Sequence, residues 1–230
     1  MNGQGAKSRL AVSATDLRRG GTLLLDGLAG PMEVFVDLPK REACGIAVIG
    51  HPQPLLGGSA VHKVPIFLAR AACEAGWIVA RPNFRGVGRS AGPHDGGLGE
   101  TEDLLSLVSA LKSEWPDLHL ALVGFSFGAF VQARVARALA DAGDPAWRVC
   151  LAGMPFGEVD GGRRYDTPQG PIPNALVVHG ELDDRVPLNA VLDWARPEGQ
   201  PIVVVPGADH FFSGKLHVLR SLVLSHLAGT

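Results

Sequence analysis

The sequence predicts an α/β fold, a mostly parallel central sheet with helices on both faces and antiparallel strands at its N-terminal end. Three observations predict it. Apolar runs such as "GIAVIG" and "LALVGF" show no polar alternation, as strands buried on both faces require. Segments of helical period alternate with those runs along most of the chain. The first two strand-like runs, in contrast, are joined by the glycine- and proline-containing turn "GLAGP", which suits an antiparallel pair near one edge.

Taken in order, "GTLLLDG" and "MEVFVDLP" form that pair. The buried strands then follow as "CGIAVIGHP", "GWIVARPN", "LHLALVGF", "WRVCLAG", "NALVVHG" and "PIVVVPG". Helices are predicted near 62–75, 101–114, 127–142 and 188–195, with a last one at about 214–227. In the third, Phe127, Phe130, Val131, Val135 and Leu139 recur on one face, Arg134 and Arg137 fall opposite, and Gly143 with Pro145 beyond it closes the helix. Strand alternating with helix implies right-handed crossovers in a parallel sheet.

Composition narrows the possibilities. A chain of 230 residues suits one domain spanning 1–230, with residues 1–9 expected to be flexible. The formal net charge is −2, and no basic stripe with interleaved aromatics is present, which argues against nucleic acid as a partner. No apolar run is long enough to span a membrane, and "MNGQGAKSRL" lacks the apolar core of a signal peptide, so a cytoplasmic location and no membrane partner are expected. Cys44, Cys73 and Cys150 read as reduced core residues, with no metal-ligand spacing.

In a sheet of this kind, ligands gather outside the carboxyl ends of the strands. The polar residues just beyond those ends are His51 to Gln53, Asn83 to Arg85, Ser126, Asp183 with Asp184, and Asp209 with His210. A nucleophile, an acid pair and a histidine therefore stand at three different strand ends. Ser126 lies in "GFSFG", where strand becomes helix. Gly124 and Gly128 remove the side chains that would collide as the two elements pack, and the tight turn lifts the hydroxyl clear of the sheet. The same turn puts the Phe127 N–H at a helix N-terminus, where it can face a developing oxyanion.

"GFSFG" resembles the nucleophile elbow of the α/β-hydrolase superfamily, and the resemblance extends further along the chain. "VVHGELDDRVP" is similar to the family's acid loop, "VVVPGADHFF" to its histidine loop, and the three follow in the family's order of serine, acid and histidine. "HPQPLLGG" and "NFRGVGRSAG" resemble segments of small serine hydrolases close to the dienelactone-hydrolase-like group, although dienelactone hydrolase itself uses cysteine where this chain has serine. The resemblance covers nearly everything after about residue 20.

It implies an α/β-hydrolase fold and three roles: Ser126 as nucleophile, Asp183 as acid in preference to Asp184, and His210 as base. Asp209 then reads as a loop or cap residue and His179 as a structural hydrogen-bond donor, while His62, His94, His119 and His217 carry no motif. The oxyanion hole falls to the N–H groups of Phe127 and Gln53, because Pro52 and Pro54 have none and Leu55 is the second choice. Leu55, Leu56, Arg85, Met154, Phe156 and Phe211 are candidate substrate contacts, Arg85 being read first as a loop-pinning residue. Glu100, Glu102 and Asp103 read as charges favoured at a helix N-terminus. "GMPFGEVDGGRRYDTPQGPIP" is short and rich in glycine and proline, so no helical cap is expected over the site. Its arginines, with Arg185, read as solvated loop charge.

The expected activity is hydrolysis of small or short-acyl carboxylic esters, with no cofactor and no metal. Acyl transfer, thioester cleavage or perhydrolysis would use the same triad, and a catalytically silent binding protein would keep the fold without the chemistry. A small-molecule ester is the expected partner, with a homodimer as the other association considered.

Overall fold

The computed structural model describes residues 17–229, so the expectation of flexibility for residues 1–9 lies outside the described residues. Eight strands form one sheet in the order β1-β2-β4-β3-β5-β6-β9-β10. β1 (Gly21–Gly27) and β2 (Gly30–Asp37) pair antiparallel, and β2 runs antiparallel to β4 (Trp77–Pro82). The remaining neighbours are parallel: β4 with β3 (Gly45–Gly50), β3 with β5 (His119–Phe125), then β6 (Arg148–Ala152), β9 (Ala175–Gly180) and β10 (Ile202–Val205).

The unbroken apolar runs are explained by what covers them. Every residue of β3 and β4 is buried, and successive side chains of one strand serve two different cores. Ile46, Val48 and Leu122 pack with α2 (Leu98–Glu114), α3 (Phe127–Asp141) and α4 (Leu188–Ala195). Ala47, Ile49, Val123 and Phe125 pack with α1 (Lys63–Glu74) and α5 (Leu216–Ala228) on the other side. Both faces of the sheet are thereby removed from water.

The chain leaves β3 towards β4 on one side and resumes at β5 on the other. The crevice of this doubly wound sheet consequently opens between the carboxyl ends of β3 and β5, where Gly50 pairs with Gly124.

Three details depart from the sequence expectation. α2 begins at Leu98, three residues before the predicted start, because the Glu100 carboxylate turns back to accept the Gly97 N–H at 2.9 Å and caps a start otherwise hidden among glycines. Between β6 and β9 there is no helical cap, but there is a two-stranded ribbon, β7 (Gly157–Val159) with β8 (Arg163–Tyr165), turned at Gly161 and Gly162. Finally, only Cys150 is a core cysteine; Cys73 is half-buried and Cys44, in the loop ahead of β3, is exposed. No helix among the described residues is long and apolar enough to cross a membrane.

Candidate active site

Ser126 follows β5 with φ 55° and ψ −123°, a left-handed conformation that costs a non-glycine residue about 1–3 kcal/mol. The surroundings enforce it. A Cβ on Gly124 would lie 2.4 Å from the Ala129 Cα, and one on Gly128 would lie 2.3 Å from the carbonyl carbon of Gly50. Strand and helix thus touch backbone to backbone, and the chain has no slack except in the serine between them. The Ser126 N–H is tied to the Ala152 carbonyl at 2.9 Å, while the Ser126 carbonyl accepts from Ala129 and Phe130 in the first turn of α3. Phe127 opens that helix, so its N–H has no acceptor one turn back.

Asp183 and His210 arrive from the ends of β9 and β10. The Asp183 Oδ1 accepts the N–H groups of Arg185 at 3.0 Å and Val186 at 2.8 Å, which fixes the carboxylate in its turn. Its Oδ2 accepts from His210 Nδ1 at 2.7 Å. With the proton held on Nδ1, the other ring nitrogen, Nε2, receives the Ser126 hydroxyl at 3.0 Å. Asp183 and His210 are buried, whereas the Asp184 side chain is 82% exposed and pairs at 3.9 Å with Arg185. Asp209 caps its own loop by accepting the Ser213 N–H at 2.8 Å.

Two further histidines support this arrangement. The His179 Nε2 donates to the Val186 carbonyl at 2.8 Å and lies 3.4 Å from Asp183 Oδ2; burial lowers its pKa, so it stays neutral beside the carboxylate. His62 lines the pocket, with its ring 6.2 Å from Phe125 and 5.8 Å from Phe211. Burial, and then the nearby His210, lower its pKa as well. Sequence reasoning passed over His62. The available signal was its place at the N-cap of the helix that follows the "HPQPLLGG" loop.

The loop after β3 folds into a 3₁₀ turn, Pro54–Leu56. Gln53 is buried and uses its side chain twice: Oε1 accepts the Leu55 N–H at 3.3 Å, and Nε2 donates to the Tyr165 hydroxyl at 2.9 Å. The first contact engages the second-choice donor, Leu55, and the second ties the loop to the β7–β8 ribbon.

The pocket at Ser126 encloses about 90 Å³, or about 590 Å³ counting its open mouth. Gln53, Leu56 and Phe211 line it, joined by Val159, Arg163, Tyr165 and Arg185. Four candidate contacts lie elsewhere. Arg85 is turned away to Asp103, at 2.7 and 3.1 Å, and to Asp95 at 3.4 Å, the loop-pinning role read first from the sequence. Met154 is fully buried and Phe156 half-buried against the α2–α3 core, because the chain turns inward as it leaves β6. Leu55 projects into solvent from the 3₁₀ turn, 69% exposed. Glu100 does stand in the first turn of α2, and both it and Asp103 are buried, Glu100 against His94 at 2.8 Å and Asp103 against Arg85.

A hydroxyl that meets an imidazole, itself held by a buried carboxylate at the carboxyl ends of a parallel sheet, is the arrangement of a serine hydrolase. No protein-family model matches the chain. It is 31% identical over 193 residues to an uncharacterized protein of Rickettsia prowazekii, covering 79% of this chain and 78% of that one. Among solved structures, a serine hydrolase without a lid from Xanthomonas campestris superposes with a TM-score of 0.80 at 36% identity, over 91% of this chain and 94% of that one. An α/β serine hydrolase homologue from Coxiella burnetii gives 0.78 at 35% identity, over 90% and 96%. The chain belongs to the lidless serine hydrolases of the α/β-hydrolase superfamily.

Proposed function

We propose that this protein cleaves small, short-acyl carboxylic esters through an acyl-enzyme on Ser126. The observation that carries the reading is the continuous path from Asp183 through His210 to Ser126, with contacts of 2.7 and 3.0 Å. A serine hydroxyl is a weak nucleophile until a base takes its proton, and here a base already touches it. As Ser126 Oγ attacks the ester carbonyl carbon, its proton passes to His210 Nε2, and Asp183 stabilises the imidazolium. The carbonyl oxygen becomes an oxyanion at the start of α3, where the N–H groups of Phe127 and Gln53 face it. Collapse expels the alcohol, which takes the proton from His210. A water activated by the same histidine then attacks the acyl carbon, releasing the carboxylic acid and restoring the Ser126 hydroxyl. The small, open pocket and the missing helical cap support small substrates over long lipid chains.

The test is intact-mass labelling with a fluorophosphonate, combined with hydrolysis of 4-nitrophenyl acetate. One adduct on the native protein, none on Ser126→Ala, and a loss of turnover on the order of 10⁶ are expected. A folded native protein that takes no label would leave a binding role for the fold. Release of acylated alcohol in place of free acid, with a competing alcohol present, would assign acyl transfer.

A further inference from the structure

The charge around the pocket is one-sided. Arg163 and Arg185 line it together with Ser126 and His210, and no aspartate or glutamate does. Asp183 stands behind His210 and is fully engaged by His210, Arg185 and Val186. The two arginines also differ in how their charge is met. Arg185 shares its charge with Asp160 at 3.5 Å and Asp184 at 3.9 Å, both largely exposed. Among the described residues Arg163 pairs with no carboxylate, and its Nε is buried without a hydrogen bond. Its neighbour Arg164, by contrast, points to solvent and pairs at 3.7 Å with Asp166.

A buried donor without an acceptor is disfavoured, more so on a charged group, so one kept in a native structure calls for an explanation; because Arg163 lines the pocket, a ligand that supplies an acceptor to its guanidinium is one. The position of Arg163 is not left to chance. It begins β8, whose last residue, Tyr165, is anchored through Gln53 to the loop carrying the proposed oxyanion donor. A guanidinium presents adjacent N–H groups in a planar fork that matches a carboxylate.

We infer that the ester cleaved here carries a carboxylate of its own, held by Arg163 with Arg185 assisting, so that these arginines determine specificity. The inference rests on the ester-hydrolase reading above and adds the charge of the substrate to it. Leu56 and Phe211, which also line the pocket, suit the apolar remainder of such a molecule.

Matched pairs of esters test it, one member charged and the other its neutral methyl ester. 4-Acetoxybenzoate against methyl 4-acetoxybenzoate places the charge on the leaving group; mono-4-nitrophenyl adipate against its methyl ester places it on the acyl group. In the wild type, kcat/KM is expected to favour the charged member of at least one pair by 10-fold or more, and the responsive pair shows on which side the charge is read. Arg163→Gln is expected to raise KM for that charged ester 10- to 100-fold and to collapse the preference. Arg163→Lys should restore part of it, while Arg164→Gln leaves both members of the pair unchanged.

Calorimetric binding of 4-acetoxybenzoate and of adipate monomethyl ester to Ser126→Ala, with and without Arg163→Gln, keeps this inference separate from the catalytic one, because binding needs no active serine. A wild type indifferent to charge in both pairs, or Ser126→Ala binding that Arg163→Gln does not weaken, overturns the inference. If Arg163→Gln does not fold, Arg185→Gln and the wild-type preference decide it.

Discussion

Ser126 and Asp183 work because their neighbours leave them no other conformation. Asp183→Asn should keep the turn, since Oδ1 can still accept from Arg185 and Val186, yet present the wrong partner to His210. Turnover of 4-nitrophenyl acetate is expected to fall on the order of 10⁴-fold. Asp184→Asn should stay within about twofold, as expected for an exposed side chain away from the machinery. His51 offers a prediction about stability. Its Nδ1–H donates to the Pro52 carbonyl at 2.7 Å, its Nε2 accepts the Phe84 N–H at 2.9 Å, and burial pulls its pKa down to about 3. Above pH 6.5 the ring is neutral in both folded and unfolded chains, and its stabilisation is complete. As the pH falls from 6.5 towards about 3, only the unfolded chain takes the proton, so stability is lost. Between pH 6.5 and 5, urea denaturation should show the wild type losing about 2 kcal/mol more than His51→Asn, which can still donate to the Pro52 carbonyl from the Nδ1 position and does not titrate.

The elements that position the site can be tested by packing. Gly128→Ala drives a Cβ into the Gly50 backbone and should cost about 1–3 kcal/mol or more by thermal or urea unfolding, with activity lost as α3 is pushed off β3. Tyr165→Phe removes the acceptor for Gln53 Nε2 and should cost about 1–3 kcal/mol, accompanied by a higher KM as the ribbon loosens. These elements were unequally legible in the sequence. The buried strands were, because parallel strands covered on both faces need continuous apolar runs. The elbow was, because a Cβ at Gly128 or Gly124 would lie only 2.3 or 2.4 Å from neighbouring backbone, so only glycine fits. The β7–β8 ribbon was not: with three residues on each side, it has too little length for an alternation to register. The start of α2 was hidden because it depends on the fold of Glu100 back onto Gly97.

At the scale of the molecule, the sheet decides which loops meet. The chain order of Ser126, Asp183 and His210 already pointed to their hydrogen-bonded path, and Leu56 and Phe211 followed from neighbouring loops, whereas Tyr165 and His62 come to the pocket only through the crossover topology. The small open pocket without a helical cap offers little apolar wall to a long chain, so kcat/KM is expected to be highest for acetate to butyrate esters and to fall for octanoate and longer, measured across a 4-nitrophenyl ester series. The order of strands carries one more consequence. Gln53 and Ser126 are borne by β3 and β5 in the middle of the sheet, but His210 follows β10, the strand at one edge, which has a hydrogen-bonded neighbour on one side only. Amide exchange should therefore be faster at β10 than at β3 and β5, because edge strands open without global unfolding. Gentle warming would then release the histidine while the serine stays seated, and the enzyme would fall silent before it melts.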